Sequence, residues 1–251
     1  YTGWYTLSLH DALPISETCP GHSTLLTGDH PNRTGIVANN WIDRATGARV
    51  YCAAVPGVAD PRARGAANLK VDTLGDWLRA RRPAARVASV SGKDRAAIMM
   101  GGHHPTSVFW WEDGSGFGTS PYAGPADPAT VRPAADLNDR LFAAWSRAPA
   151  PLWPSATPAA CAALAVPHTF GRLALSGAVP PETARAAQGD PKSAAFTAEL
   201  RASPLMDQIT LELAAELVRS QGLGRRRQPD LLAISLSGTD HIGHRYGSGG
   251  A

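Results

Sequence analysis

The sequence predicts an α/β fold with a mostly parallel sheet, and three observations carry that prediction. Short β-rich runs at 85–92 and 107–111 each give way at once to glycine or polar residues. An unbroken apolar run, LLAISL at 231–236, has the length and composition of a strand buried on both faces. Between these runs lies SPLMDQITLELAAELVRSQGLG, where Leu205, Ile209, Leu213 and Leu217 form one helical stripe behind a capping Ser203. Alternation of strand and helix of this kind belongs to α/β sheets.

Composition narrows the function. The 251 residues can bury a sizeable core in one or two domains. With 43% hydrophobic and 18% charged residues the chain is ordinary for a globular protein. A net charge of +3, spread along the chain, gives no nucleic-acid footprint, and GRRRQ at 224–228 reads as a solvated loop. No apolar run reaches the roughly 18 residues of a membrane span. Three cysteines without a C-x-x-C pair argue against a cysteine zinc site and leave the redox compartment open.

The elements follow in order. TLSLHDALPI, Thr6 to Ile15, resembles a sequencing adapter translated in one frame, so residues 1–15 are set aside and His10 and Asp11 receive no role. Pro20-Gly21 is expected to break the chain before HSTLLTG, a short helix closed by Gly28. VDTLGDWLRARRP reads as a helix capped at Asp72 or Thr73 and ended by Pro83, with Leu74, Trp77 and Leu78 on its inner face. ARVASVSG is a strand that ends at Gly92, just before Lys93, and SVFWW is another with EDGSG as its turn. A helix over 134–147 repeats Leu137, Leu141, Phe142 and Trp145 at helical spacing.

Polar residues just beyond a buried parallel strand stand where open α/β sheets place ligands. SGTDHIGH follows the apolar strand, and Asp240 and His244, four apart, can face one point from a helix entry. A carboxylate with an imidazole suits zinc or a similar divalent ion. Lys93 and Arg95 alternate past the 85–92 strand. In extended geometry they would point the same way and meet a phosphoryl group's charge. Thr18, before a helix N-terminus, places a hydroxyl where backbone N–H groups favour an anion, and a metal would make it a nucleophile.

TCPGHSTLLTGDHPNRTGIVANNW, SGKDRAAI and SLSGTDHIGH together resemble the alkaline phosphatase superfamily. They look most like its branch shared with type I phosphodiesterases and nucleotide pyrophosphatases, and within it the phosphate-irrepressible alkaline phosphatases. The resemblance implies a three-layer α/β/α sandwich and a periplasmic or secreted hydrolase of small phosphate esters. It implies two zinc ions, with other divalent ions possible. Thr18 would be the phosphorylated nucleophile and a metal ligand. Asn39 would donate to a phosphoryl oxygen, Lys93 and Arg95 would bind the phosphate, and Asp240 and His244 would ligate one zinc. The family's upstream Asp and its downstream Asp-His pair and His have no match here, and His22, His30, His103, His104 and His168 match no ligand position. The expected division is extraneous sequence at 1–15, a first part of the catalytic core at 16–100, a cap-like insertion at 101–203, and core again at 204–251, incomplete at both ends. Phosphomonoester hydrolysis is the leading expectation, because a monoester offers the Lys-x-Arg pair more charge. A phosphodiesterase or pyrophosphatase, and an inactive fragment, remain as alternatives. A sulfatase is disfavoured, since Cys19 begins CPGHS rather than C-x-P-x-R.

Overall fold

The computed structural model describes residues 17–60, 63–123, 127–153, 166–186 and 189–246. Residues 1–15, set aside above, lie outside them. The central sheet has four strands in the order β5-β4-β3-β8: β3 (Val87–Ser91), β4 (Ser107–Glu112), β5 (Gly116–Gly118) and β8 (Leu231–Ser235). β3 runs parallel to both β4 and β8, and only β5 is antiparallel, so the sheet is mostly parallel. Two small hairpins lie apart from it, β1 (Asn40–Ile42) with β2 (Arg49–Tyr51) and β6 (His168–Phe170) with β7 (Leu173–Leu175).

The period of two along β4 builds the layers. Phe109 and Trp111 enter one core with Leu137, Phe196, Ile209 and Leu213, whereas Val108 and Trp110 enter the other with Ile36, Ile98 and Met99. The first core lies under α5 (Pro128–Trp145), α7 (Ala194–Arg201) and α8 (Pro204–Gln221); α6 (Glu182–Ala186) precedes α7. The second lies under α1 (Thr18–Thr27) and α4 (Asp94–Gly101), with α2 (Pro31–Thr34) beside α1. Helices on both faces give the expected sandwich. The stripe Leu205, Ile209, Leu213 and Leu217 on α8 is fully interior. Each such side chain contributes about 1.5–3 kcal/mol by leaving water.

Four expectations need correction. The first helix begins at Thr18, not after Gly21. Pro20 sits in its first turn, where its missing N–H would have had no intrahelical partner. α3 (Leu74–Arg81) is the expected helix, yet Leu74 and Trp77 are 57% and 53% exposed, and its buried side is Gly75 and Asp76. The cause is close approach: a Cβ at Gly75 would lie 2.8 Å from Val87 Cγ1, so only glycine lets α3 rest on β3. β8 is not buried on both faces. It forms one edge of the described sheet, with Ala233 buried and Ile234 38% exposed. Finally, β4 and β5 fall within the 101–203 stretch expected as an insertion, and both belong to the sheet.

Candidate active site

The strand ends converge. Gly92 follows β3 and Ser237 follows β8, and Ser91 Oγ and Ser237 Oγ are hydrogen-bonded at 3.1 Å, which ties the two C-terminal ends together. Lys93 is the N-cap of α4, and Asp240 lies in the first turn of α9 (Gly238–Tyr246). The start of α1 faces both. Thr18, His22, Lys93, Ser235 and Asp240 line one cleft of about 220 Å³. Lys93, with only 7% of its side chain exposed, donates from Nζ to Asp240 Oδ2. Burial opposes charge on Asp240, but the hydrogen bond and charge of Lys93 outweigh it and hold the carboxyl below its usual range.

Asn39 is fixed to the start of α1. The Cys19 N–H donates to Asn39 Oδ1 (2.8 Å), the Asn39 N–H donates to Glu17 Oε2, and the Cys52 N–H donates to the Asn39 carbonyl (3.0 Å). A Cys19–Cys52 disulfide closes the same arrangement. The sequence held no sign of this pairing, because three cysteines allow several partners.

His22, which matches no ligand position of the family, lines the cleft. Its Nδ1 lies 2.7 Å from the Thr18 carbonyl and its Nε2 2.8 Å from Ser235 Oγ. A carbonyl only accepts, so Nδ1 carries the proton and Nε2 accepts from Ser235. Burial, with the charges of Lys93 and Arg95, lowers the His22 pKa, which favours this neutral tautomer. The signal was present in the sequence: His22 is one helical turn beyond Thr18 and shares its face.

The other two expected residues stand further off. Arg95 does not face the Thr18 cleft, because α4 begins at Asp94 and the extended alternation ends there. It lines a neighbouring cleft with Trp111, Arg201 and His241, and Lys93 belongs to both clefts. His241 is pushed down to about 4, first by burial and then by Lys93 and Arg201, so it is neutral. His244 has 78% of its side chain exposed, with Nε2 3.6 Å from Asp240 Oδ1.

A metal can be tested against these donors. Two ligands about 2.0–2.1 Å from a tetrahedral zinc lie roughly 3.3 Å from each other. The Asp240–His244 separation is close to that, so the pair fits one ion in part, with Thr18 across the cleft. A second group, Asp72, Asp76 and His103, has ligand atoms within 4.8 Å of one another. Its hydrogen bonds argue for a structural role. Asp76 accepts from the Thr73 N–H and hydroxyl and from the His103 and His104 N–H groups. His103 points Nδ1 at Asp76 and Nε2 at the Leu69 carbonyl, so both nitrogens carry protons.

Comparison with known proteins agrees with the fold and with the family resemblance. The family model for type I phosphodiesterase / nucleotide pyrophosphatase matches residues 5–250. Alkaline phosphatase PhoD of Zymomonas mobilis is 40% identical over 98% of this chain and 41% of its own length. Alkaline phosphatase PhoK of a Sphingomonas species is 38% identical over 94% of this chain and 40% of its own. The crystal structure of alkaline phosphatase PafA superposes on 93% of this chain with a TM-score of 0.77, at 26% identity, and the chain covers 46% of it. This chain thus spans about two fifths of the length of the curated relatives it matches. On this evidence it belongs to the type I phosphodiesterase / nucleotide pyrophosphatase branch of the alkaline phosphatase superfamily.

Proposed function

We propose that the protein is a metal-dependent phosphomonoester hydrolase of the alkaline phosphatase type, acting through Thr18. The observation that carries this reading is the shared cleft: Thr18, Lys93 and Asp240, distant in sequence, meet at the C-terminal ends of two parallel strands. The family match and the alkaline phosphatases among its relatives support the reaction class.

Thr18 is the first helical residue of α1, where the helix dipole favours the phosphoryl oxygens. Its oxygen attacks phosphorus while the ester P–O bond breaks and the alcohol leaves. Water then hydrolyses the phosphothreonine and releases phosphate. Asp240 and His244 would hold one zinc, whose charge lowers the pKa of the Thr18 hydroxyl; the family's second zinc needs ligands beyond this pair. Lys93 supplies positive charge to the phosphoryl group, and Arg95 adds its own from the neighbouring cleft. His22 holds the Thr18 carbonyl and so orients the first turn. Asn39 keeps the nucleophile's backbone in register. A Cys19–Cys52 disulfide is a cross-link that persists in oxidising compartments, which supports a periplasmic or secreted location. Among the described residues no helix is long and apolar enough to cross a membrane.

The test uses a chromogenic phosphomonoester with zinc and the full-length parent protein. Thr18→Val is expected to remove turnover, while Thr18→Ser keeps an acid-stable phosphoenzyme that can be trapped and mapped to residue 18. A Thr18→Val protein with undiminished turnover sinks the assignment. The diesterase reading is favoured by the family description itself. It is separated by Lys93→Ala with Arg95→Ala, expected to reduce monoester hydrolysis more than diester hydrolysis.

A further inference from the structure

The neighbouring cleft, of about 530 Å³, shares Lys93 with the Thr18 cleft and extends from it past Arg95 to Arg201. Ten buried side-chain nitrogens and oxygens on the described residues have no hydrogen-bond partner, and four belong to residues that line this one cleft. They are Arg95 Nε, Trp111 Nε1, Arg201 Nε and His241 Nε2. The first three are obligate donors. A buried donor without an acceptor is costly, so a concentration of them marks a place that an acceptor-rich group completes.

The carboxylates nearby do not fill that need. Asp94 already accepts from the Tyr51 hydroxyl (2.7 Å) and from Arg64 (2.7 Å). Asp113, 56% exposed, takes Arg201 at 2.7 Å through a terminal nitrogen and leaves Nε unmet. Glu112 stands exposed at the end of β4.

We propose that this cleft is a second anion subsite, which receives a phosphate or carboxylate carried by the leaving-group side of the substrate. The substrate class is then a phosphoester whose alcohol part bears a further anionic group. The scissile phosphoryl lies by Thr18 and Lys93 with the charge of Arg95 beside it, and the second anion lies by Arg201. This rests on the reading of the Thr18 cleft as the phosphoryl site. Arg201 is the specificity-determining residue, placed by the C-terminal turn of α7. Trp111, 2% exposed, forms a rigid wall that holds the indole N–H in place.

Binding decides the proposal, so a chain that hydrolyses nothing still gives an answer. Calorimetry, without added metal, compares inorganic phosphate with inorganic pyrophosphate and 2-phosphoglycolate. At least one double anion is expected to bind about tenfold tighter than phosphate, the gain of a charge-assisted hydrogen bond. An advantage for pyrophosphate identifies a second phosphate, and one for phosphoglycolate identifies a carboxylate. Arg201→Gln should erase the advantage. Asp113→Asn, which removes the competing carboxylate, should enlarge it, and that gain cannot come from misfolding. Equal affinity for all three probes overturns the subsite, as does an advantage that survives Arg201→Gln in a folded variant or fails to grow with Asp113→Asn. Hydrolysis of a simple monoester with no such advantage would sink the subsite and leave the reaction standing.

Discussion

Asp76 shows how one buried carboxylate organises two loops. It caps α3 in a reciprocal box with Thr73 and gathers the N–H groups of His103 and His104. Burial alone would raise its pKa, but the hydrogen bonds from His103 and Thr73 prevail and hold it well below the carboxylate range. Its contribution to stability is therefore present above the unfolded carboxyl value and lost as pH falls. The His103 pKa is raised, chiefly by its hydrogen bond to Asp76. Its contribution is complete below the unfolded imidazole value, near 6.5, and is lost as pH rises through the folded one. Thermal melts should thus show a fall in Tm above neutrality that His103→Gln flattens, and a flat profile in the unaltered protein would contradict the imidazolium. Asp76→Asn should cost about 2–3 kcal/mol in denaturant titration, because it weakens a cap and leaves buried donors poorly met. None of this was legible in VDTLGDW. An Asp three residues after Thr announces a cap, but the loop at 102–104 that shares it is remote in sequence.

At the scale of elements, legibility followed local periodicity. α8 was readable because Leu205, Ile209, Leu213 and Leu217 repeat strictly, and Leu213→Ala should cost about 2–5 kcal/mol. The inner face of α3 was misread because it is made by a glycine and a carboxylate, neither of which carries an apolar signal. Arg95 departs from the strand alternation because α4 starts at Asp94, and one residue of helix start turns that alternation into a helical step. The Cys19–Cys52 bond joins α1 to the end of β2 across 33 positions. In the chain-entropy account a loop of that size stabilises by about 3–4 kcal/mol. Paired Cys19→Ser and Cys52→Ser should lower the denaturant midpoint accordingly and slow turnover by loosening Asn39 against Thr18. A midpoint unmoved by the double change would mean that the cross-link adds nothing to the hydrogen bonds around it.

Across the whole molecule, the sheet order and the site were legible to different degrees. The two strands that hold the cleft, β3 and β8, and the polar motifs that follow them were legible as β-rich or apolar runs followed by polar residues. The shared cleft of Thr18, Lys93 and Asp240 came from motif order. Arg201 did not, since its place depends on neighbours brought near by folding. The exposed face is the larger surprise. Ile234 on β8 leaves apolar surface at the edge of the described sheet. Ile234→Lys should raise the soluble fraction of this chain, measured by light scattering during concentration, and an unchanged fraction would show that the edge is harmless.

The pairing of Cys19 with Cys52 also sets an order in time. It needs only the stretch of chain between those two residues, whereas Lys93 and Asp240 lie further along the chain. Once that stretch is in an oxidising compartment, the turn that carries Thr18 and the segment that carries Asn39 can be joined before their charged partners dock. The surroundings of Thr18 are then a finished part waiting for the rest, and the slow search left to the chain is to bring Asp240 home.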